Sequence, residues 1–147
     1  MALRIHAWAA IVWVGAIIVQ VFLAGLAITN LGGSGDFSTH MDFGYNIGFI
    51  ALIVLILAIV ARRPRRDIGI AAGIVVLYIV QILLPNFKSV PAIAAVHPVN
   101  AMLLFGVSVW YARNAWRAAS RSGAASATAA TAATGATGAT GAPGAAR

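Results

Sequence analysis

Apolar residues fill four long stretches of this chain: Ala7 to about Ile28, Met41 to Ala61, Ile68 to about Leu84, and about Ala92 to Ala112. Each is near the ~20 apolar residues needed to cross the hydrocarbon core of a bilayer. The pattern predicts four transmembrane helices at about 6–29, 40–61, 68–86 and 92–113. Connections of roughly a dozen residues or fewer make successive helices antiparallel neighbours. The predicted fold is therefore all-α, an integral membrane four-helix up-and-down bundle over residues 1–117. From Ala118 the pattern changes to "AASRSGAASATAATAATGATGATGAPGAAR", which has almost nothing large to bury. Residues 118–147 are expected to form a disordered Ala/Thr/Gly-rich cytoplasmic tail.

Polar interruptions of the apolar runs fall in matching places. "VQVFLAGL", with Gln20, is followed by a loop and then by His40 in "FSTHMDFGYNIG"; "VQILLPNF", with Gln81, is followed by a loop and then by His97 in "VHPVNAML". Glutamine, loop, histidine and arginine-rich end thus occur twice. Two parallel helix-hairpin repeats account for this order, and so does a chance likeness between two apolar hairpins.

Composition then fixes the solvent. With 61% hydrophobic and 9% charged residues, a chain of 147 residues cannot solvate a globule, so its first partner is the lipid bilayer. A net charge of +7 would suggest nucleic acid in a soluble protein, but its distribution argues otherwise. Arg4, Arg62, Arg63, Arg65, Arg66, Arg113, Arg117 and Arg121 fall at the start of helix 1, in the 2–3 loop and at the end of helix 4. Excess arginine marks the cytoplasmic side, so a multi-pass protein of the cell membrane with both termini cytoplasmic is expected, and no nucleic-acid partner. The first apolar run exceeds a signal-peptide core and no small-x-small cleavage site follows it, so it is expected to stay as helix 1.

Cysteine is absent, which excludes disulfides, thiolate metal sites and thioether-bound haem. Glutamate is absent too, and Asp36, Asp42 and Asp67 all fall near helix ends. With no nucleophile beside a base, no carboxylate pair and no phosphate-binding loop, no catalytic residue is assigned.

In this topology His40 and His97 sit near the outer ends of helices 2 and 4, toward one leaflet. Ionisable side chains at membrane depth usually face the bundle interior. Counting at 1.5 Å per residue, His40 to Arg62 is roughly 33 Å and His97 to Arg113 roughly 24 Å. The two levels match to a few ångströms if Arg113 snorkels, and differ by about two turns if it marks the boundary. Gly44 and Gly48 follow His40 at i+4 and i+8, and Ala101 follows His97 at i+4, so small residues lie beneath both histidines. That leaves two readings. A flat macrocycle could stand between helices 2 and 4 with His40 and His97 on its metal, as histidines hold haem; or the small residues let the helices pack closely.

Gln20 and Gln81 are then either interhelical hydrogen-bond partners or contacts to a ligand or its histidines, and Asn46 and Asn100 carry the same two readings. Lys88, Ser38, Thr39, Asn86 and the amides of "LGGSGDFST" would serve haem propionates; Lys88 alone is equally an exposed loop lysine. Pro98 loosens the backbone at His97, so helix 4 begins either at Pro98 or near Pro91 with a kink, and Pro85 frees the carbonyl of Gln81. His6, Trp110, Tyr111 and Trp116 are expected at the interface.

"VQVFLAGL", "THMDFGYNIG", "RRPRR", "VQILLP" and "VHPVNAML" together resemble a family of small four-helix bacterial membrane proteins of unestablished function, over about residues 5–117. In outline the chain also resembles one four-helix half of haem A synthase-like proteins, which carry histidines on their second and fourth helices and bind b-type haem. That resemblance implies His40 and His97 as axial ligands. It does not imply the oxidative activity, which uses an acidic residue and, in many members, loop cysteines; this chain has no glutamate and no cysteine. Two functions therefore stand side by side. One is b-type haem binding for electron transfer or haem handling, with an unknown redox partner. The other is a non-catalytic scaffold or accessory subunit of a membrane complex, without cofactor.

Overall fold

The computed structural model describes residues 1–87 and 89–139. Four spans are built from α1 (Ala2–Ala27), α2 (Ser38–Asn46) with α3 (Gly48–Val60), α4 (Arg65–Leu83), and α5 (Pro91–Ala94) with α6 (Val96–Ala139). α1 packs on α6 and on α2 and α3, α3 packs on α4, and α4 packs on α6. This is the all-α four-helix membrane bundle that the apolar runs predict. The lipid-facing surface is apolar throughout, with Val12, Phe22, Phe49, Val76 and Met102 among its exposed side chains.

What makes these four helices one bundle is a narrow inward stripe on each. It runs through His6, Ala10, Trp13, Ile17 and Gln20 on α1, and through His40, Gly44, Ile47, Ala51, Val54 and Ala58 along α2 and α3. On α4 it passes through Asp67, Ala71, Ile74, Tyr78 and Gln81, and on α6 through His97, Asn100, Leu104, Ser108, Tyr111 and Ala115. Steps of three and four residues keep one seam facing the partners, as in left-handed coiled-coil packing. Lipid is as apolar as these side chains, so close packing and interhelical hydrogen bonds drive association. The buried polar residues of the spans lie on these stripes, while Ser38, Thr39, Asp42 and Asn46 at the loop end of α2 are exposed.

The second span is broken at Ile47 rather than continuous, and Tyr78 explains the break. Its ring lies against Gly48, and its hydroxyl reaches the carbonyls of Gly44 and Tyr45 at 3.0 and 3.1 Å. A side chain inserted into the i→i−4 ladder is a recognised cause of such a break. The carbonyls that the ladder leaves free are those the tyrosine takes up. The same ring meets Trp13 edge-on, with centroids 5.9 Å apart, and Trp13 Nε1 donates to Ser108 Oγ at 2.9 Å. One mid-depth layer thus ties all four spans.

The fourth span begins near Pro91 and is interrupted, the second of the two ways expected from Pro98. α5 starts at Pro91, the helix lapses at Ala95, and α6 starts at Val96. His97 and Pro98 therefore fall in a first turn, where a missing N–H costs nothing. α6 then runs as helix to Ala139. Alanine is the strongest helix former, and no proline interrupts the segment before Pro143. Residues 140–147 of the expected tail lie outside the described residues.

The loop after α1 folds back on it. The amides of Gly33, Ser34 and Gly35 donate to the carbonyls of Ile28, Leu26 and Ala27, satisfying the helix end. Gly32 and Gly35 have φ of 82° and 79°, a region that suits glycine. Asp36 accepts from both the amide and the hydroxyl of Ser38 at 2.8 and 2.9 Å, which fastens the start of α2. Those bonds, the amide first, hold its carboxyl below the usual carboxylate range.

A methyl group at Gly48 would overlap the Tyr78 ring, whereas one at Gly69 meets nothing within 4 Å. Gly48→Ala should therefore destabilise the bundle by about 1–3 kcal/mol, as overpacking does. Gly69→Ala should leave thermal unfolding in mild detergent unchanged or slightly raised. Equal melting temperatures for the two variants would show that Tyr78 does not wedge the second span.

Candidate functional site

At the loop end of the bundle the sequence-predicted residues come together, but as two separate pairs. Gln20 meets His40 and Gln81 meets His97, each joining adjacent spans. His40 Nδ1 lies 3.1 Å from the carbonyl of Gln20, and His97 Nδ1 lies 3.1 Å from the carbonyl of Gln81. A carbonyl only accepts, so Nδ1 carries the proton in both rings and donates. Nε2 of each ring then faces the glutamine Nε2, at 3.2 Å for His40 and 3.1 Å for His97. The amide must donate there, so both imidazoles are neutral and their Nε2 lone pairs accept.

Neighbouring groups fix which way each amide points. Gln20 Nε2 also donates to the carbonyl of His40 at 2.9 Å, which an amide oxygen could not do. Gln81 Oε1 accepts from Asn100 Nδ2 at 2.7 Å, and that nitrogen also donates to the carbonyl of Leu77 at 3.0 Å. The second clasp is thus a triad, while Gln20 Oε1 in the first is buried without a partner. Pro85 supplies the carbonyl of Gln81: lacking an N–H, it leaves that oxygen free for His97.

The remaining predicted residues are distributed as follows. His40 and His97 are both half-buried and lie within electrostatic reach of each other. Gly44 is buried with its open side against the Gln20 amide, and Gly48 lies under the Tyr78 ring. Ala101 is half-buried one turn below His97. Asn46 turns back to the carbonyl of Asp42 on its own helix, at 2.7 Å, and takes no part in either clasp. Lys88 lies outside the described residues.

A haem between the second and fourth spans needs the space over Gly44 and Gly48 and a free Nε2 on each histidine. The glutamine amide and tyrosine ring fill that space, and both lone pairs are engaged. Several loop donors are also occupied: the amides of Gly33, Ser34 and Gly35 bind the end of the first span, Ser38 Oγ binds Asp36, and Asn86 Nδ2 binds the carbonyl of Ile82 at 3.3 Å. As packed, these residues do not fit the macrocycle, and the space beneath His40 reads as close helix packing.

The arginine-rich end holds a second polar cluster that sequence reasoning placed in the interface. His6 is 0% exposed and its Nε2 lies 3.0 Å from the hydroxyl of Tyr111, itself buried, with the rings edge to face. Arg63 pairs with Asp67 at 2.6 Å nearby, within electrostatic reach of His6. His6 Nδ1 and Arg63 Nε are buried without partners. The signal for His6 was its spacing: it shares the four-three-four-three register of Ala10, Trp13, Ile17 and Gln20. Trp8, Trp110 and Trp116 are exposed at this end, as interfacial residues should be. No group of three or more potential metal ligands occurs among the described residues.

Fold and site together define a small four-span membrane protein whose interior polar residues pair across helix seams. A family of unknown function, DUF6220, matches residues 20–87, from Gln20 through His40 to just past Gln81, and ends before His97. No curated protein and no solved structure matches the chain.

Breaking one clasp should cost about 0.6–2 kcal/mol, the range of interhelical hydrogen bonds in membranes. A double-mutant cycle on Gln20→Leu and His40→Leu should show coupling of that size, and Gln81→Leu with His97→Leu the same or more. Additive effects in both cycles would remove the clasps from the stability of the bundle. At the other end, Tyr111→Phe alone leaves His6 with no partner at either nitrogen and should cost about 1–3 kcal/mol. Adding His6→Leu to Tyr111→Phe should recover much of that loss, because both partners then become apolar; no recovery would mean that the pair is not the source.

Proposed function

We propose that this chain is a non-catalytic protein of the cell membrane, an accessory or scaffold unit, with both termini on the cytoplasmic side. One observation carries the reading: in both halves the histidine has both ring nitrogens engaged by the glutamine of the preceding span. Such a histidine is a fastener, neutral and locked in one tautomer, and it has no lone pair left for a ligand. The filled space over Gly44 and Gly48 supports the same reading. The arginine-rich end supports the orientation by the positive-inside rule.

One feature favours haem as a second reading. An Nδ1–H tethered to a backbone carbonyl is the arrangement that orients a ligating histidine and points its Nε2 inward. If both glutamine amides rotated away, His40 and His97 could hold a b-type haem, with Lys88 available to a propionate, for electron transfer or haem handling. This reading rests also on the outline resemblance to haem A synthase-like proteins.

The absorption spectrum of the full chain, purified in mild detergent from haem-supplied cells, separates the two. The first reading expects no haem bands before or after reduction, with His40→Leu and His97→Leu lowering the melting temperature. A low-spin b-type spectrum, lost in His40→Ala or His97→Ala and retained in His6→Ala, would replace it with the second. For the orientation, single cysteines at Ser34, Ser89 and Ser122 in this cysteine-free chain should label from outside intact cells at the first two alone. Labelling at Ser122 would reverse it.

A further inference from the structure

Against the eight arginines at one end of the bundle stands a single acid, Asp67, already paired with Arg63. Between α1 and α6 an open groove of about 450 Å³ faces the lipid, walled by Ile11, Val14 and Val109 and headed by Arg113, Trp116 and Arg117. Arg113 and Arg117 are four residues apart and share a helix face. Both are exposed, neither has an acidic partner among the described residues, and no acid lines the groove. Trp116 packs edge-on against Trp8 of α1, centroids 5.3 Å apart, which closes the groove at its headgroup end.

An apolar channel running down the helices, ending in two unpaired guanidiniums beside an interfacial tryptophan, matches one kind of molecule. Its tail is a hydrocarbon chain and its head a phosphate bearing net negative charge. Guanidinium binds phosphate oxygens in a forked, charge-assisted geometry, and basic pockets between spans select acidic headgroups. A zwitterionic lipid would place a quaternary amine beside the same arginines and gain far less. A second groove, between α4 and α6 over Ile70, Leu103 and Gly106, has no charged residue in its own lining, and Arg66 lies over the ring of its Trp110, 5.8 Å from the centroid.

We propose that the groove between α1 and α6 binds an anionic phospholipid, with an acyl chain along Ile11, Val14 and Val109 and the phosphate on Arg113 and Arg117. The site is independent of the histidine clasps, which lie at the opposite end of the bundle.

The test uses the full chain carrying Trp8→Phe and Trp110→Phe, so that Trp116 is the lipid-facing fluorophore and Trp13 stays buried. In phosphatidylcholine bilayers, a small fraction of bromine-labelled phosphatidylglycerol should quench Trp116 well beyond the same fraction of bromine-labelled phosphatidylcholine. Two basic residues at the membrane surface correspond to a local enrichment of about 10- to 30-fold. Arg113→Gln with Arg117→Gln should abolish the preference, and lysine at both positions should keep most of it. Arg62→Gln with Arg65→Gln removes equal charge from exposed positions outside the groove and should leave the preference in place. Equal quenching by the two lipids would overturn the proposal. So would an equal loss in the Arg62 and Arg65 variant, which would assign the preference to the whole basic end. Circular dichroism and the melting temperature of each variant show that the bundle is intact, so a lost preference reports on the groove.

Discussion

A polar group inside a membrane bundle has no water to return to, so it must find its partner on another helix or on the backbone. That requirement organises this structure. Each span carries few buried polar side chains, and these lie on the inward stripe, where they meet at three depths. Glutamine and histidine pair at the loop end, tryptophan, serine and tyrosine in the middle, and histidine, tyrosine, arginine and aspartate at the arginine-rich end. Apolar packing between these layers fixes how close the helices come. The hydrogen bonds fix which helix faces which and at what height, because a shift of one residue would leave several buried groups unpaired.

The two clasps are equivalent in contact but not in local cause. In the second half, proline removes the donor that would have covered the carbonyl of Gln81, and the broken start of α6 brings His97 to it. In the first half α1 runs on past Gln20 to Ala27, so His40 shares a carbonyl that sits within a continuing helix. Asn100 completes the second clasp, whereas the position three residues after His40 is Phe43, which has nothing to donate. Sequence repetition at the glutamines and histidines therefore has a structural counterpart, and the halves diverge in the residues around them.

The number of spans, their antiparallel order and the pairing of polar residues near the loop end were legible in the sequence, because length, hydropathy and turn residues act locally. Tyr78 was not. Nothing about an aromatic residue in an apolar run announces that its hydroxyl will replace ladder bonds in a neighbouring helix; only Gly48, thirty residues earlier, makes room for it. The same glycine suggested space for a ligand, since a missing side chain reads alike whether a cofactor or a ring fills the gap. His6 was misplaced for a different reason. Proximity to the chain start and to Trp8 suggested the interface, while its shared register with Trp13 and Gln20, which decides which way it faces, went unused.

The polar pairing of the bundle closes less completely at some points than at others, and those points are informative. Gln20 Oε1, His6 Nδ1 and Arg63 Nε are buried and unpaired, while the Gln81 clasp uses every polar atom of its amide. A buried unpaired group costs on the order of 1–3 kcal/mol, so the first clasp gives back part of what its other bonds contribute. Two of the three unpaired atoms, Gln20 Oε1 and His6 Nδ1, belong to α1, and the third, Arg63 Nε, lies in the connection before α4. The first clasp is accordingly the less secure of the two, although α1 packs more extensively on α6 than α4 does. Two buried bonds, His6 to Tyr111 and Trp13 to Ser108, cross the seam of α1 with α6, which also walls the groove headed by Arg113 and Arg117. A molecule seated in that groove touches α1 and α6 together, and so would add to the seam that those two bonds hold.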